Sequence, residues 1–280
     1  MSKPIISIII PCYNQSRYLD ECLQSVLDQI WTDWECIVVN DGSPDDAELI
    51  AQKWVSKDDR FKYVFQENRG VSAARNLGIT IANGEFILPL DADDKIGNLY
   101  LSLAIKAFNK NANLELVYCK AEKFGDEKGS WDLEPFTLYN LSVKNMIFCS
   151  AFYRKKDWER VGGYDVNMTQ GLEDWEFWIS ILKNSGYVLC LDYIGFFYRI
   201  KKISRQSQLS PENTEKLYDY LSVKHVGFFI ANFGSFYKIN NKFKAEKNFY
   251  NKKLKSKKFV INLFCKTFFN FQPFARHKIE

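Results

Sequence analysis

Residues 85–94 read Glu85-Phe86-Ile87-Leu88-Pro89-Leu90-Asp91-Ala92-Asp93-Asp94, so that an apolar run ends directly in three carboxylates. A continuous apolar run of this length predicts a strand that is buried on both faces. Two runs upstream have the same form, because residues 5–10 end at Pro11 and residues 35–39 end in Asn40-Asp41-Gly42-Ser43. The sequence therefore predicts three buried strands that are each followed by a polar segment.

Helical periodicity separates the predicted strands. Helices are predicted over residues 19–30, 45–55, 71–81 and 99–108, and further strands over residues 61–65 and 114–119. This alternation of strands and helices with short connections predicts an α/β fold, in which helices flank a mostly parallel sheet. Ligands bind such sheets beyond the carboxyl ends of the strands, so the three polar segments should line one crevice.

The rest of the chain gives a weaker pattern. Residues 125–150 show no clear period, and we expect irregular structure there. The later predictions are a strand at 147–153, helices at 155–161 and 172–182, a strand-rich segment at 187–198, and helices from residue 210 with breaks near Gly234 and Pro273.

Charge is divided unevenly along the 280 residues. The net charge is +4, but residues 1–200 carry −8 and residues 201–280 carry +12. The hydrophobic content of 46% and charged content of 26% are globular values and exclude a disordered chain. The acidic body argues against nucleic acid as a partner, whereas the basic, aromatic-rich end indicates contact with an anionic surface.

The seven cysteines point to a reducing compartment. No pair has C-x-x-C spacing and the chain has two histidines, which argues against a zinc site. Met1 leads straight into the first strand without the form of a signal peptide, and the longest apolar stretch, residues 259–271, is too short and too polar to span a bilayer. We therefore expect a cytoplasmic protein, with peripheral contact to the inner face of the plasma membrane.

The acidic cluster at residues 91–94 suggests a cation site. Carboxylates this close raise one another's pKa unless a cation lies among them. Mg²⁺ and Mn²⁺ take carboxylate oxygens and often keep a phosphate as co-ligand, so a metal-bound diphosphate is a natural occupant. The alternative is a solvated acidic turn. Placement directly after an apolar strand favours the metal.

Three other positions have a functional and a structural interpretation. Asp41 could accept a hydrogen bond from a nucleobase or ribose, or could form a turn or helix cap. Arg75 suits a phosphate, or a salt bridge to the 91–94 cluster. Asp174, beside Glu173, could be a general base, or could complement a helix dipole. P-loop, G-x-G-x-x-G and G-x-S-x-G motifs are absent from the sequence, which argues against kinase-like, NAD-binding and serine-hydrolase functions.

Six segments, taken together and in this order, resemble the family 2 glycosyltransferases of GT-A fold. The resemblance covers roughly residues 4–200 and is far more specific than any one motif. The segments are Ile8-Ile9-Ile10-Pro11-Cys12-Tyr13-Asn14, Val39-Asn40-Asp41-Gly42-Ser43, Glu67-Asn68-Arg69-Gly70 with Ala74-Arg75-Asn76, Asp91-Ala92-Asp93-Asp94, Val161-Gly162-Gly163-Tyr164-Asp165, and Glu173-Asp174-Trp175-Glu176.

The resemblance implies an inverting sugar transfer from a nucleotide sugar, with Mn²⁺ or Mg²⁺ as cofactor. By analogy Asp93 binds the metal directly, Asp91 shares the metal site and faces the ribose, and Asp174 is the catalytic base. The other implied nucleotide-sugar-binding residues are Pro11, Tyr13, Asn14, Asp41, Arg75, Ala92 and Arg199. The segment Lys201-Lys202-Ile203-Ser204 departs from the family pattern, which usually has His or Gly there.

The resemblance also suggests domains, donor and acceptor. Residues 1–205 are expected to form the GT-A nucleotide-sugar-binding and catalytic domain, and residues 206–280 a helical basic and aromatic region. The expected donor is UDP-linked, and the expected acceptor is a hydroxyl of a glycan or lipid-linked glycan in surface polysaccharide or lipopolysaccharide synthesis. Residues 224–280 either contact anionic lipid or cap the core, with single-stranded nucleic acid a weaker alternative. A sugar-nucleotide pyrophosphorylase and a non-catalytic relative are the competing functions.

Overall fold

The apolar runs of the sequence form the strands of one twisted sheet in the computed structural model, which describes residues 3–184, 186–202 and 209–274. The strands are β1 (Ile6–Cys12), β2 (Trp34–Asp41), β3 (Phe61–Gln66), β4 (Phe86–Pro89), β5 (Lys95–Ile96), β6 (Leu116–Gly125), β7 (Gly129–Trp131), β8 (Phe152–Arg154) and β9 (Val188–Ile200). The helices are α1 (Ser16–Leu27), α2 (Ala47–Lys57), α3 (Val71–Ile81), α4 (Tyr100–Lys110), α5 (Leu138–Val143), α6 (Lys155–Val161), α7 (Glu173–Leu182), α8 (Pro211–Lys224), α9 (Val226–Phe233), α10 (Phe236–Leu254) and α11 (Lys257–Phe269).

The predicted α/β fold with a mostly parallel sheet is confirmed. Within the described residues the strand order is β3-β2-β1-β4-β8-β6-β9-β5, with β7 paired to β6. Strands β3, β2, β1 and β4 are parallel neighbours, so their carboxyl ends lie at one edge of the sheet. β8 is antiparallel to both β4 and β6, and it joins this first half to the parallel pair β6 and β9.

The first strand does not stop before Pro11, as the sequence suggested, but continues to Cys12. Ile9 accepts a hydrogen bond from Leu90 N at 2.9 Å, so the backbone polar groups of residues 9 and 11 face the β4 side. Pairing with β4 ends at Ile9, so Pro11, which has no N–H to donate, lies beyond the last residue of β1 that pairs with β4.

Three other sequence predictions are wrong in detail. α1 ends at Leu27, so Ile30 lies beyond the helix and is exposed. Residues 125–150 are not wholly irregular, since β7 and α5 lie within them. The strand predicted at 147–153 shortens to β8, because the carbonyl of Ile147 accepts a hydrogen bond from Trp178 Nε1 at 3.1 Å and takes no part in the sheet ladder. The two-residue β5 has no apolar run long enough to predict it.

Helix α7 is the most deeply buried helix near the strand ends. Its apolar side chains, Trp175, Phe177 and Trp178 among them, are all buried. Trp175 Nε1 donates to the carbonyl of Leu141 at 2.7 Å, which ties the start of the helix to α5. Buried indoles with a satisfied N–H hold a helix in one position. The acidic residues of its first turn are therefore carried on a rigid element.

The chain divides into two compact units, Met1–Phe228 and Phe229–Glu280. The predicted boundary between residues 205 and 206 lies outside the described residues, so that division stays a prediction. In the second unit, α10 and α11 contain no buried residue. Among the described residues, none of the helices combines the length and the apolar character that crossing a bilayer requires.

Candidate active site at the strand ends

The segments after β1 and β2 meet through hydrogen bonds from backbone N–H groups to side-chain oxygens. Asn14 N donates to Ser43 Oγ at 2.7 Å, and Ser16 N donates to Asp45 Oδ2 at 2.8 Å. Asn14 has a φ of 54°, a left-handed conformation that asparagine tolerates better than most residues. Pro11 is buried and Tyr13 is 49% exposed. The structure thus places Tyr13 and Asn14 at an open strand end and Pro11 inside the sheet.

Asp41, at the end of β2, holds the loop that leads into α3. Its Oδ1 accepts hydrogen bonds from Gln66 Nε2 at 2.5 Å and from Arg69 N at 2.9 Å, and its Oδ2 accepts one from Gly70 N at 2.9 Å. The helix cap suggested as its alternative is not its role, because Asp45 accepts the Ala47 N–H at 3.3 Å at the start of α2. Asp41 is buried and already engaged by the 66–70 loop.

Arg75 joins two carboxylates beneath the strand ends. The guanidinium is 1% exposed, with Nη2 donating to Asp91 Oδ1 at 2.7 Å and Nη1 donating to Glu173 Oε1 at 3.0 Å. The salt bridge to the acidic cluster that the sequence allowed is therefore present, and a second one reaches α7. A buried arginine fixes such carboxylates because its planar fork matches their geometry. Arg75 sets the spacing between the acidic turn after β4 and the start of α7.

Residues 91–94 form a turn in which Asp94 N donates to the carbonyl of Asp91 at 3.0 Å. Asp94 is 1% exposed, its Oδ1 accepts from Arg199 N at 2.8 Å, and its Oδ2 has no hydrogen-bond partner. Burial, together with the carboxylates of Asp93 and Asp91, raises the pKa of Asp94 well above its usual range. Ala92 is buried within the turn. An orphaned buried carboxylate oxygen of this kind is what a bound cation would satisfy.

The candidate metal-binding atoms belong to a set slightly different from the predicted one. Asp91, Asp94 and Cys149 each offer one ligand atom, and these atoms lie within 4.8 Å of one another. The Cys149 thiol lies 3.5 Å from Asp91 Oδ2. Two hard carboxylates in this set fit Mg²⁺ or Mn²⁺. Asp94 belongs to the acidic cluster that the sequence suggested as a cation site, whereas Cys149 was not foreseen, because it lies 58 residues from Asp91 along the chain.

Asp93, the predicted direct metal ligand, is paired with a cation of the protein itself. Its Oδ2 forms an ion pair with Lys201 Nζ, and its carbonyl accepts from Arg199 Nε at 2.8 Å. Arg199 also pairs with Glu21 and stacks 4.3 Å from the Tyr18 ring. The end of β9 is thereby fastened to the acidic turn, and the structure places Arg199 next to Asp93 and Asp94.

Asp174 lies in the first turn of α7 beside Glu173. Its Oδ1 accepts from Trp175 N at 2.7 Å and its Oδ2 from Asn145 Nδ2 at 2.9 Å. Burial, and then the neighbouring Glu173 carboxylate, raises the pKa of Asp174 to about 6. A carboxylate with a pKa this close to neutrality can take up and release a proton under working conditions. Asn145 was missed because it lies in a segment without a readable period.

The structure brings most of the predicted residues to one edge of the sheet in two groups. In the first group Arg75 links Asp91 to Glu173, next to Asp174, and Arg199 contacts both Asp94 and Asp93 in the same turn as Asp91. Tyr13, Asn14 and Asp41 belong to the neighbouring ends of β1 and β2, where their described contacts are with the 43–45 and 66–70 loops.

The chain matches one protein-family model and several curated proteins. Residues 7–168 match the family described as Glycosyl transferase family 2. The chain is 28% identical to the uncharacterized glycosyltransferase MJ1057 of Methanocaldococcus jannaschii, covering 80% of each chain. It is 27% identical over 216 residues to the chondroitin synthase of Escherichia coli, covering 75% of this chain and 30% of that one. The chain spans between 30% and 45% of the length of three curated relatives that it matches.

Solved structures share the fold. TarS of S. aureus in complex with UDP-GlcNAc has a TM-score of 0.66 and 22% identity, over 78% of this chain and 65% of that one. TarS in complex with UDP has a TM-score of 0.67 and 20% identity, over 92% and 78%. The expected GT-A-like architecture is thus found in experimental structures, and the family match covers more than half of the sequence. This chain belongs to the family 2 glycosyltransferases.

Proposed function

We propose that this protein transfers a sugar, with inversion, from a UDP-linked donor to a hydroxyl of a glycan or lipid-linked acceptor during synthesis of a surface polysaccharide or lipopolysaccharide. The observation that carries the proposal is the acidic turn at residues 91–94 joined through Arg75 to the start of α7, which bears Asp174. Arg75 thereby connects the acidic turn, where the leaving diphosphate is proposed to lie, with the start of α7, where the proton acceptor is proposed to lie. The UDP-GlcNAc and UDP complexes of TarS and the likeness to a chondroitin synthase support the donor and product classes.

The nucleotide is proposed to lie across the ends of β1, β2 and β4. Tyr13 and Asn14 offer an exposed ring and backbone at the first strand end, beside buried Pro11. Asp41 is proposed to contact the base, with its carboxylate held in place by the 66–70 loop. Asp91 and Ala92 are proposed to approach the ribose, and Arg75 and Arg199 the diphosphate. Positions at the carboxyl ends of parallel strands are the usual ones for such a ligand.

A divalent cation, Mn²⁺ or Mg²⁺, is proposed to bind at Asp91 and Asp93, with Asp94 as an additional carboxylate. The orphaned Oδ2 of Asp94 and its raised pKa support a cation among these groups. Such an ion would supply charge neutralisation for the departing diphosphate.

Asp174 is proposed to accept the proton of the acceptor hydroxyl. Its pKa of about 6 leaves it deprotonated at neutral pH and basic enough to take a proton from an attacking oxygen. Asn145 fixes the carboxylate by donating to Oδ2 at 2.9 Å. A single attack opposite the leaving group inverts the anomeric carbon, so no covalent nucleophile is needed.

The C-terminal unit is proposed to contact an anionic membrane surface. Residues 229–274 contain ten lysines and one glutamate. Aromatic side chains of α10 and α11 are exposed, with Phe236 at 83%, Phe243 at 66% and Phe268 at 68%. Lysines near an anionic surface contribute about 1 kcal/mol each, and inserted phenylalanines add a contribution that salt does not screen. Such contact would bring the enzyme to a lipid-linked acceptor. Loss of sedimentation with phosphatidylglycerol-rich vesicles after truncation at Phe228, where the first unit ends, would support this localisation, and a full-length protein that stays in the supernatant at low salt would refute it.

The donor class is tested by thermal unfolding of the purified chain with UDP-, GDP- and dTDP-sugars, each with and without Mn²⁺. The proposal predicts the largest stabilisation with UDP-sugars and Mn²⁺ together. Equal stabilisation by all three nucleotides would remove the uridine preference. A melting temperature unchanged by every nucleotide sugar would refute the proposed function.

A further inference from the structure

The ion pair between Lys201 and Asp93 lies within the proposed metal site. The two side chains are 15% and 16% exposed, so the pair is largely removed from water. Lys201 Nζ also lies 3.3 Å from Gln15 Oε1, at the residue that precedes α1. The ammonium therefore sits between the end of β1 and the acidic turn, where the diphosphate of a donor is proposed to lie.

Lys201 is held in this position by its neighbours. Two residues earlier, Arg199 donates from its backbone N to Asp94 Oδ1 and from Nε to the carbonyl of Asp93, both at 2.8 Å. The Lys201 ammonium lies 5.6 Å from the centre of the Tyr18 ring, against which Arg199 also packs. The end of β9 thus carries two cations to one carboxylate turn. A metal ion bound at Asp93 would be close to both, and like charges at such distances repel.

We propose that Lys201 is a tethered counter-ion of Asp93, which a divalent cation must displace, and that the displaced ammonium then pairs with the donor diphosphate. This inference rests on the proposed function and concerns the order and coupling of binding at that site. Without nucleotide, the metal must break the Lys201–Asp93 pair and approach an unpaired ammonium. With a diphosphate present, the ammonium gains a new anionic partner, so the metal no longer binds beside an unpaired ammonium.

The consequence is that Lys201 makes metal and nucleotide binding interdependent. Coupling between two ligands is reciprocal, so a metal that binds tighter with UDP also makes UDP bind tighter. Such coupling keeps the acidic turn neutralised when the site is vacant and admits the metal mainly with its diphosphate. Removing the Lys201 charge should therefore strengthen metal binding alone and weaken the coupling.

The test is Mn²⁺ titration of the full chain, followed by the electron paramagnetic resonance signal of free Mn²⁺, with and without UDP and corrected for Mn²⁺ bound by UDP in solution. Lys201→Met should bind Mn²⁺ about tenfold tighter than the wild type in the absence of UDP, as expected for loss of a partly buried competing pair. UDP should enhance Mn²⁺ affinity several times less in Lys201→Met than in the wild type. Lys202→Met removes the same charge from an adjacent, exposed side chain and is the matched control.

The proposal is overturned if Lys201→Met binds Mn²⁺ no tighter than the wild type, or if Lys202→Met gains as much. Lys201→Arg, which keeps the charge, should remain at the wild-type affinity, and Lys201→Gln replaces the methionine variant if that one fails to fold. If UDP binds the wild type by calorimetry but enhances Mn²⁺ binding equally in both proteins, the coupling is wrong while the proposed function stands. If UDP does not bind the wild type at all, the proposed function fails, and the nucleotide-free titration still decides whether Lys201 is a counter-ion.

Discussion

Two clusters of carboxylates include residues of helix α7, and their carboxyl groups differ in pKa. At the start of the helix lies the site cluster of Asp91, Asp94, Glu173 and Asp174, in which Arg75 pairs with Asp91 and Glu173 and the pKa values of Asp94 and Asp174 are raised. One turn further along, the anchor cluster pairs Glu176 and Asp165 with Lys224. There burial alone would raise the pKa of Asp165, but hydrogen bonds from Lys224 and Tyr220 lower it to about 2. Burial is the largest cause of the raised pKa values of Asp94 and Asp174, whereas at the less buried Asp165 the hydrogen bonds from Lys224 and Tyr220 together outweigh burial.

The anchor cluster has a structural role. Glu176 Oε1 accepts from Lys224 Nζ at 2.9 Å, from His225 Nε2 at 2.8 Å and from Ser180 Oγ at 2.8 Å. These contacts fasten α8 to α7 within the first unit. Each cluster includes one buried carboxylate oxygen without a hydrogen-bond partner, Asp94 Oδ2 in the site cluster and Glu176 Oε2 in the anchor cluster. The pKa values differ, because at Glu176 burial is outweighed by the hydrogen bonds to His225 and Lys224, which lower the pKa, whereas that of Asp94 is raised and that of Asp174 lies near neutrality. Negative charge in excess of its partners is what a cation-binding, proton-accepting site requires.

The largest effect is expected on the rate of sugar transfer, which should depend on Asp174 and not on the acids of the anchor cluster. Asp174→Asn should lower sugar transfer by roughly 10²- to 10⁴-fold, because the general base is lost. UDP binding should stay near the wild-type value, since Asp174 is proposed to face the acceptor. Steady-state transfer and UDP calorimetry measure the two quantities. Asp165→Asn is the matched control and should keep its transfer rate below its melting temperature. Wild-type turnover by Asp174→Asn would make Asp174 only a first-turn acid of α7.

Arg75→Met tests whether the Arg75 guanidinium neutralises the negative charge of the site cluster and holds it together. The substitution leaves Asp91 and Glu173 without their shared cation, and loss of one partner of a buried ion pair costs about 3–5 kcal/mol. Lys144→Met, which breaks an exposed pair with Glu134, should change the free energy of unfolding by less than about 1 kcal/mol. Urea unfolding measures both, and equal small losses would show that Arg75 does not hold the cluster together.

Neutralising one acid in each cluster should destabilise the fold only in the anchor cluster. Glu176→Gln weakens three hydrogen bonds to a buried oxygen and should destabilise the fold by about 1–3 kcal/mol. Asp94→Asn keeps an oxygen for Arg199 N and removes like-charge repulsion, so in EDTA it should leave stability unchanged or increase it. Denaturant unfolding in EDTA measures the difference. Destabilisation of both variants to the same extent would remove the distinction between the clusters.

The smallest effect is a difference in pH dependence. The folded pKa of Asp174 is raised to about 6, so its charge opposes folding above that pH, and the cost disappears as the pH falls from about 6 towards the unfolded value near 4. Asp174→Asn should therefore melt roughly 2–4 °C above the wild type at pH 7.5, with a smaller difference at pH 5.

Asp165 should behave in the opposite way. With a folded pKa of about 2, it contributes stability that is fully present above the unfolded pKa and is lost as the pH falls towards 2. The melting temperature of Asp165→Asn should lie below that of the wild type by the same amount at pH 7.5 and pH 5. Parallel pH profiles for Asp165→Asn and Asp174→Asn would contradict the assigned pKa directions.

The sequence predicted the sheet and its strand ends because a continuous apolar run indicates a buried strand, and the polar segment after the run indicates where the strand ends. Asp91, Asp93 and Asp174 could be singled out as acids next to a strand or at a helix start. The salt bridge from Arg75 to the 91–94 cluster was one of the two roles that the sequence allowed. Lys201 and Asn145 could not be predicted as partners, since they reach these acids across 108 and 29 residues of chain. Only the folded backbone shows that Asp94 points inward and that Lys201 takes the carboxylate of Asp93. The departure of residues 201–204 from the family pattern was the one signal in the sequence that pointed to this pair.

The central claim is that the acidic turn after β4 binds a nucleoside diphosphate through a divalent cation. The most direct measurement is the stabilisation of the wild type and Asp93→Ala by UDP, at a concentration 100 times the wild-type dissociation constant, in Mn²⁺ and in EDTA. The account predicts about 2.7 kcal/mol for the wild type in Mn²⁺, and little or none in EDTA or for Asp93→Ala. Equal stabilisation of the wild type in EDTA, or of Asp93→Ala in Mn²⁺, would contradict it.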